Sequence, residues 1–93
     1  MKVEILYFAN FKDITGKDKE IFELVDNSIY KLMLKLFNKY SPIKNLLWDN
    51  EINSLKKSVS VVINDKILTN KREHLLELND GDKVAFLLPF AGG

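Results

Sequence analysis

Ser28-Ile29-Tyr30-Lys31-Leu32-Met33-Leu34-Lys35-Leu36-Phe37-Asn38-Lys39-Tyr40 is the stretch on which the fold turns. Ile29, Leu32, Met33, Leu36, Phe37 and Tyr40 fall at the i, i+3, i+4, i+7, i+8, i+11 spacing that lays one broad apolar stripe along a helix. Ser28, after Asp26-Asn27, is placed to cap it, because its hydroxyl can accept an orphan N–H of the first turn. Lys31 stands where a capping box would carry Glu or Gln, so only half of that motif is present. Ser41-Pro42 is expected to end the run, since proline disfavours helical backbone in the residue before it. A single striped helix needs a facing surface, and the flanking sequence supplies strands.

Upstream, Val3-Glu4-Ile5-Leu6-Tyr7-Phe8 alternates with period two. Val3, Ile5 and Tyr7 take one face; Glu4, Leu6 and Phe8 take the other, which is polar at its start and apolar at its end. Residues 9–15 fit a short helix closed by Gly16 in a left-handed conformation. Gly16-Lys17-Asp18 then turns the chain into a second strand over residues 19–25, with Ile21 and Leu24 near its ends. Downstream of the main helix, Leu46, Leu47, Trp48, Ile52 and Leu55 supply apolar contacts around a loop-like 49–54. Residues 43–57 therefore read as a short helix followed by irregular chain. Residues 59–63 form a strand with Val59, Val61 and Ile63 inward, and Asn64-Asp65 is a tight turn into a short strand at 66–68. Residues 75–78 suggest one helical turn, Asn79-Asp80-Gly81-Asp82 a further turn, and residues 83–88 the last strand. On that strand Val84, Phe86 and Leu88 face the core and Leu87 the opposite side. The sum is an α+β fold, a mixed sheet of about five strands packed against one main helix.

Composition narrows the chemistry. Ninety-three residues make one domain, which buries about two thirds of the surface its unfolded chain exposes. At 46% hydrophobic and 29% charged residues the chain is a folded globule and not a disordered segment. No cysteine is present, which excludes disulfides, a thiol nucleophile and cysteine-ligated metal. The one histidine, His74, reads as a surface or capping residue, and no metal site is expected. Fourteen basic against thirteen acidic residues leave a net charge of +1, too small for nucleic-acid binding by counterion release. Apolar runs such as residues 84–90 are far shorter than the ~20 residues of a membrane span. The N-terminus has no apolar export segment. A cytoplasmic protein away from the membrane is expected.

The unusual feature is Phe86-Leu87-Leu88-Pro89-Phe90-Ala91-Gly92-Gly93. Pro89 cannot donate to a sheet ladder, so residues 1–88 are expected to form the folded domain and 89–93 a flexible tail. Fully extended, five residues reach at most ~17 Å. Chain ends are commonly small-residued, and the glycine pair could be incidental. The functional reading is that the Gly93 carboxylate is the reacting group. A narrow channel in an ATP-using enzyme would admit Gly92-Gly93 where a Cβ would clash. Adenylation turns a poor electrophile into a good one, and sulfur attacking the acyl carbon leaves a thiocarboxylate on Gly93. No nucleophile, base and oxyanion donor converge elsewhere, so no activity is expected of the chain alone and no bound cofactor; ATP is consumed by the activating enzyme.

These residues resemble a known family. The chain is similar over its whole length to the small subunit of molybdopterin synthase, a ubiquitin-like β-grasp sulfur carrier. The likeness is carried by residues 3–9, by Ala9-Asn10-Phe11-Lys12-Asp13-Ile14-Thr15-Gly16, by Ile63-Asn64-Asp65, and by Asp80-Gly81-Asp82-Lys83-Val84-Ala85-Phe86 with Ala91-Gly92-Gly93. The resemblance implies a β-grasp fold and two partners. A ubiquitin-activator-like adenylating enzyme would charge Gly93, and a molybdopterin synthase large subunit would take sulfur from it to build the dithiolene. It also implies that Phe8, Ile67 and Leu87 are apolar partner contacts and that Ala91 and Gly92 belong to the reactive tail. Three departures stand out: Lys12 where arginine is frequent, Leu88 for the first of two prolines, and Asp65 for a glycine. Lys12 weakens any bidentate contact there.

Two other classes of function compete. Gly93 would form isopeptide bonds in a ubiquitin-like protein modifier, and the glycines would be incidental in a non-covalent interaction module. The thiamin-pathway carrier, a close relative, is usually shorter and lacks the helix at 9–15. Phe37 and Trp48 read as core or edge cover, and Lys56-Lys57 and Lys71-Arg72 as solvated turns. Lys66 and Lys83 could draw an acidic partner surface.

Overall fold

The computed structural model describes residues 1–68 and 76–89. In chain order the elements are β1 (Lys2–Leu6), α1 (Asn10–Thr15), β2 (Lys19–Glu23), α2 (Ile29–Lys39), α3 (Ser41–Leu47), β3 (Trp48–Asp49), β4 (Ser54–Leu55), β5 (Ser60–Ile63), β6 (Lys66–Leu68) and β7 (Lys83–Leu87). Among the described residues five strands form one sheet in the order β2-β1-β7-β5-β6, with β3 and β4 pairing apart from it. The central pair, β1 with β7, is parallel, with Ile5 opposite Val84; β2, β5 and β6 join antiparallel. This is the β-grasp arrangement that the sequence resemblance implies.

The stripe of α2 lies on one face of the sheet. Ile29, Leu32, Met33, Leu36 and Phe37 are buried in a single cluster with Val3, Ile5, Val61, Val84 and Phe86. The Ser28 hydroxyl caps α2 by accepting from the Lys31 N–H at 3.4 Å. Gly16 ends α1 at φ 70°, and its N–H donates to the Lys12 carbonyl. Asn64 and Asp65 make their turn with φ of 51° and 69°, the two positive values that a two-residue hairpin turn demands. Among the described residues no helix is long and apolar enough to cross a membrane.

Three expectations need correction. Pro42 does more than stop α2. The break comes at Tyr40, extended at φ −132° and ψ 86°, and Pro42 then sits in the first turn of α3, where its missing N–H costs no hydrogen bond. Residues 43–57 are more regular than expected, because after α3 the chain makes the small β3–β4 hairpin, with Trp48 opposite Leu55. The expected helical turn at 75–78 is extended over its described part, residues 76–78. Glu77 bridges to Ser28, the Ile29 N–H donates to the Leu76 carbonyl, and the Leu78 N–H donates to that of Asn27. A strand-like segment there satisfies a first-turn donor of α2, which a helical turn would leave without a partner. His74 and Leu75 lie outside the described residues.

One polar cluster ties the end of β1 to the ends of β2 and α2. The hydroxyls of Tyr7 and Tyr40 each donate to Glu20 Oε1 at 2.8 Å. Lys17 Nζ donates to Oε2 at 3.2 Å, and the Lys39 ammonium reaches the same oxygen. Burial alone would raise the pKa of Glu20, but the hydrogen bonds from Lys39, Tyr40, Tyr7 and Lys17 outweigh it and bring the carboxyl from 4.5 down to about 2. The Tyr7 phenol is pushed well above its ordinary range, first by burial and then by its hydrogen bond to Glu20 and that carboxylate's charge.

A carboxylate with a lowered folded-state pKa stabilises the fold above its unfolded pKa of 4.5 and loses that contribution as pH falls toward 2. Unfolding followed from pH 7 to pH 2 is therefore expected to show a stability loss below about pH 5. Glu20→Gln should flatten that loss and lower stability at pH 7 by about 1–3 kcal/mol. A variant as pH-sensitive as wild type would place the acid sensitivity elsewhere.

Candidate functional site

Among the described residues the helices cover one face of the sheet and leave the other open. On the open face, cross-strand register aligns Leu6 of β1 with Ala85 of β7, Ala85 with Val62 of β5, and Val62 with Ile67 of β6. Phe8, just beyond β1, and Leu87 of β7 rise beside that row. Phe8 is 50% exposed and Ile67 63%, large values for apolar side chains on a folded monomer. Leu6, Phe8, Val62, Ala85 and Leu87 line a hollow of about 420 Å³ whose polar end is Asn64, Asp65 and Lys83. The sequence-predicted contacts thus meet in part. Phe8 and Leu87 share the hollow, and Ile67 stands on the same face two strands from β7.

The facing of β7 depends on its register, since a slip of one residue would send Leu87 inward and Phe86 out. A knot of polar contacts pins the strand's start. Buried Asp82 accepts from Asn64 Nδ2 and from the Asn79 N–H, both at 2.8 Å. Asn64 Oδ1 in turn accepts from the Lys83 N–H at 3.0 Å. On the other side the Gly81 N–H donates to the Lys2 carbonyl, and the Glu4 N–H donates to that of Asp82. Gly81, at φ 86°, takes a backbone shape that a side chain would strain.

Phe8 is held by its neighbours in sequence. Tyr7 is buried and bonded to Glu20, and its N–H donates to the Asp18 carbonyl at 2.8 Å. After Phe8 the chain reverses at once, and the Phe11 N–H donates back to the Phe8 carbonyl at 3.0 Å. The turn residue Ala9 adopts φ 49° and ψ −121°, the first central position of a turn that ordinarily requires glycine. Lys12, one of the departures, pairs with Asp18 at 2.7 Å. Each raises or lowers the other's pKa in the expected sense, through a hydrogen bond first and charge second. Both are exposed, so the pair adds little stability.

Leu6, Val62 and Ala85 were not foreseen as site residues, although the period-two alternation already put Leu6 off the core face and left Val62 between two inward residues. Ala85 gave no signal because its side chain is too small to mark a face. Among the described residues no cluster of His, Cys, Asp and Glu is arranged to hold a metal ion. Ala91, Gly92 and Gly93 lie outside the described residues together with Phe90, and exposed Pro89 is the last described residue.

The match of residues 5–93 to the ThiS family spans nearly the whole chain. The chain belongs to the ThiS family. It is a ubiquitin-like β-grasp protein of the sulfur-carrier class. Full-length alignment gives 26% identity to the molybdopterin synthase sulfur carrier subunit of Chlamydomonas reinhardtii, covering 100% of each chain. The small archaeal modifier protein 3 of Haloferax volcanii is 29% identical over 96 residues, again with 100% of each covered. The crystal structure of SAMP1 from Haloferax volcanii superposes with a TM-score of 0.84 over 100% of both chains at 16% identity. At that identity the likeness speaks to the fold.

Asp82→Ala is expected to destabilise this ThiS-family domain by about 1–3 kcal/mol, because Asn64 Nδ2 and the Asn79 N–H lose their acceptor. Chemical denaturation measures the loss. An unchanged midpoint would remove the polar knot as the anchor of β7.

Proposed function

We propose that this chain carries sulfur as a thiocarboxylate on Gly93 and delivers it to a molybdopterin synthase large subunit. The observation that carries the reading is the uncovered apolar face beside β7, the strand that leads into Gly92-Gly93. A docking face and a side-chain-free reactive end are the two parts such a carrier needs. Membership of the ThiS family and full-length similarity to a protein named molybdopterin synthase sulfur carrier subunit support it.

The chemistry requires two enzymes. An adenylating enzyme joins the Gly93 carboxylate to the α-phosphorus of ATP and releases pyrophosphate. A sulfur nucleophile then attacks the acyl carbon, the C–O bond to AMP breaks, and Gly93 keeps a C–S bond. At the synthase that sulfur passes to the pterin precursor, and water restores the carboxylate. No step uses a side chain of this protein as acid, base or nucleophile, in keeping with a chain that has no cysteine. Its own contribution is to bind and present, through Phe8, Ile67 and Leu87 on the open face with Leu6, Val62 and Ala85 between them.

A second reading is favoured by one specific observation, the 29% identity to a protein named as a small archaeal modifier. There the activated Gly93 acyl group would be attacked by a lysine amine of another protein, giving an isopeptide bond. The first step is common to both, and the acceptor alone differs.

Intact mass spectrometry after incubation with ATP, the source organism's adenylating enzyme and a sulfur donor separates them. The expected product is the chain with one oxygen replaced by sulfur. Conjugates to other polypeptides would establish the modifier, and an unmodified chain would exclude both. Leu87→Asp is expected to weaken binding to the large subunit by about tenfold or more, roughly 1.4 kcal/mol, with the fold intact by circular dichroism. Unchanged affinity would move the docking face elsewhere.

A further inference from the structure

Strand β2 ends the sheet on one side, and among the described residues no strand pairs with its outer edge. The Tyr7 N–H donates to the Asp18 carbonyl and the Leu24 N–H to the Met1 carbonyl, while Glu20 and Phe22 stand opposite Ile5 and Val3. Backbone groups alternate sides along an antiparallel strand. Glu20 and Phe22 therefore turn their backbone groups to β1, and the N–H and C=O groups of Lys19, Ile21 and Glu23 point outward. The same three residues lie on the open face, opposite Leu6, Glu4 and Lys2. All three are exposed, Ile21 at 63%. The Glu23 carbonyl accepts from Lys35 Nζ at 2.5 Å, an exposed contact.

We propose that this edge is a self-association site, where β2 of a second copy of this chain pairs antiparallel with β2 about a two-fold axis at Ile21. The sequence Lys19-Glu20-Ile21-Phe22-Glu23 is complementary to itself in that register. Ile21 meets Ile21, Lys19 meets Glu23 of the second copy, and Glu23 meets its Lys19, all on one face of the joined sheet. Opposite charges directly across a strand pair stabilise it, and like charges destabilise it. A slip by two residues would set Ile21 against Lys19 or Glu23. A slip by four would set Lys19 against Lys19 or Glu23 against Glu23, and odd slips would turn the facing side chains to opposite faces. Charge on an edge strand ordinarily discourages pairing; here its spacing favours one partner, the same strand reversed. Each outward N–H finds a carbonyl of the other copy, and the second copy's Lys19 N–H replaces the Lys35 ammonium at the Glu23 carbonyl. The ammonium returns to water at little cost, because the contact was exposed. Both open faces then lie on the same side of the joined sheet. The pairing uses none of Phe8, Ile67 and Leu87, since β1 stands between β2 and β7.

Sedimentation equilibrium of the full chain is expected to show a reversible dimer with a Kd below about 1 mM, a weak affinity suited to a contact along one strand. Amide exchange at Lys19, Ile21 and Glu23 should slow as the concentration rises. Lys19→Glu and Glu23→Lys, both at exposed positions, are each expected to weaken the dimer by about tenfold or more, with the melting temperature near wild type. Mixed in equal amounts the two variants should regain wild-type affinity as a heterodimer, because each end of the strand pair then joins opposite charges again. A chain still monomeric at about 1 mM, or a dimer indifferent to both substitutions, would overturn the proposal. Two weakened variants whose mixture stays weak would overturn it as well, since the register would then be wrong. A dimer lost in Leu87→Asp and kept in the charge variants would assign self-association to the open face. Protection of the Ile21 amide that appears only on adding the synthase large subunit would assign the edge to that enzyme. Either assignment overturns the proposal.

Discussion

The parallel ladder between β1 and β7 is the constraint from which the rest follows. It joins the two ends of the folded domain at the centre of the sheet, with Glu4, Ile5 and Leu6 opposite Lys83, Val84 and Ala85. A parallel pair cannot be closed by a tight turn, so the chain between must make a crossover, here from β2 on one side of the pair to β5 on the other. The apolar stripe of α2 makes that crossing and is buried against Val3, Ile5, Val84 and Phe86. Among the described residues the helices take one face and no element is laid over the other. The open face thus follows from this topology. Its apolar character, with Ile67 and Phe8 each half or more exposed, is not required by it.

The polar clusters at the two ends of β1 serve this ladder in different ways. At the start, Asp82, Asn64 and Asn79 lock β7 in register with both of its neighbours. At the finish, Glu20 gathers the hydroxyls of Tyr7 and Tyr40 and fixes the residue immediately before Phe8. Hydrogen bonds to a partly buried carboxylate are strong because desolvation raises the cost of leaving it unpaired. The residues of the open face are consequently mounted on a stiff frame, including Phe8 and Ile67, which are exposed themselves. A rigid apolar face loses less conformational entropy on binding than one that must first be ordered.

Much of this was legible in local sequence, and the reasons can be traced to particular residues. Gly16, Ser28 and the pair Asn64-Asp65 each act through their own backbone conformation or an adjacent hydrogen bond, so three or four residues suffice to read them. The stripe from Ile29 to Tyr40 declared both the helix and its buried side. What escaped was set by distant partners. The β3–β4 hairpin has two-residue strands with little propensity of their own, and it is fixed by burial of Leu55 and by the Lys56 N–H donating to the Leu47 carbonyl at 2.8 Å. Residues 76–78 carry apolar spacing compatible with a helical turn, yet extended backbone wins because the Ile29 N–H and the Asn27 carbonyl offer it hydrogen bonds. On the site, alternation found Phe8 and Leu87, whereas Ala85 took its place through neighbours on both sides.

If Gly93 is the reacting group, discrimination among enzymes cannot reside there, because two glycines offer only backbone to be read. The fold discriminates no better, since a TM-score of 0.84 survives at 16% identity to SAMP1. A common backbone with so few shared side chains means that the β-grasp is maintained by pattern, through buried apolar positions and a handful of turns. Differences of role must then be written in the exposed residues, which the fold leaves free to vary. Here those are the ridge of Phe8 and Leu87, Ile67 at the sheet edge, and the polar border of Asn64, Asp65 and Lys83. Apolar contacts in the middle of such a face supply affinity with little selectivity, while charges at its border penalise a mismatched partner. Lys83 and Asp65 are therefore better placed than the apolar centre to distinguish a synthase from a conjugating enzyme.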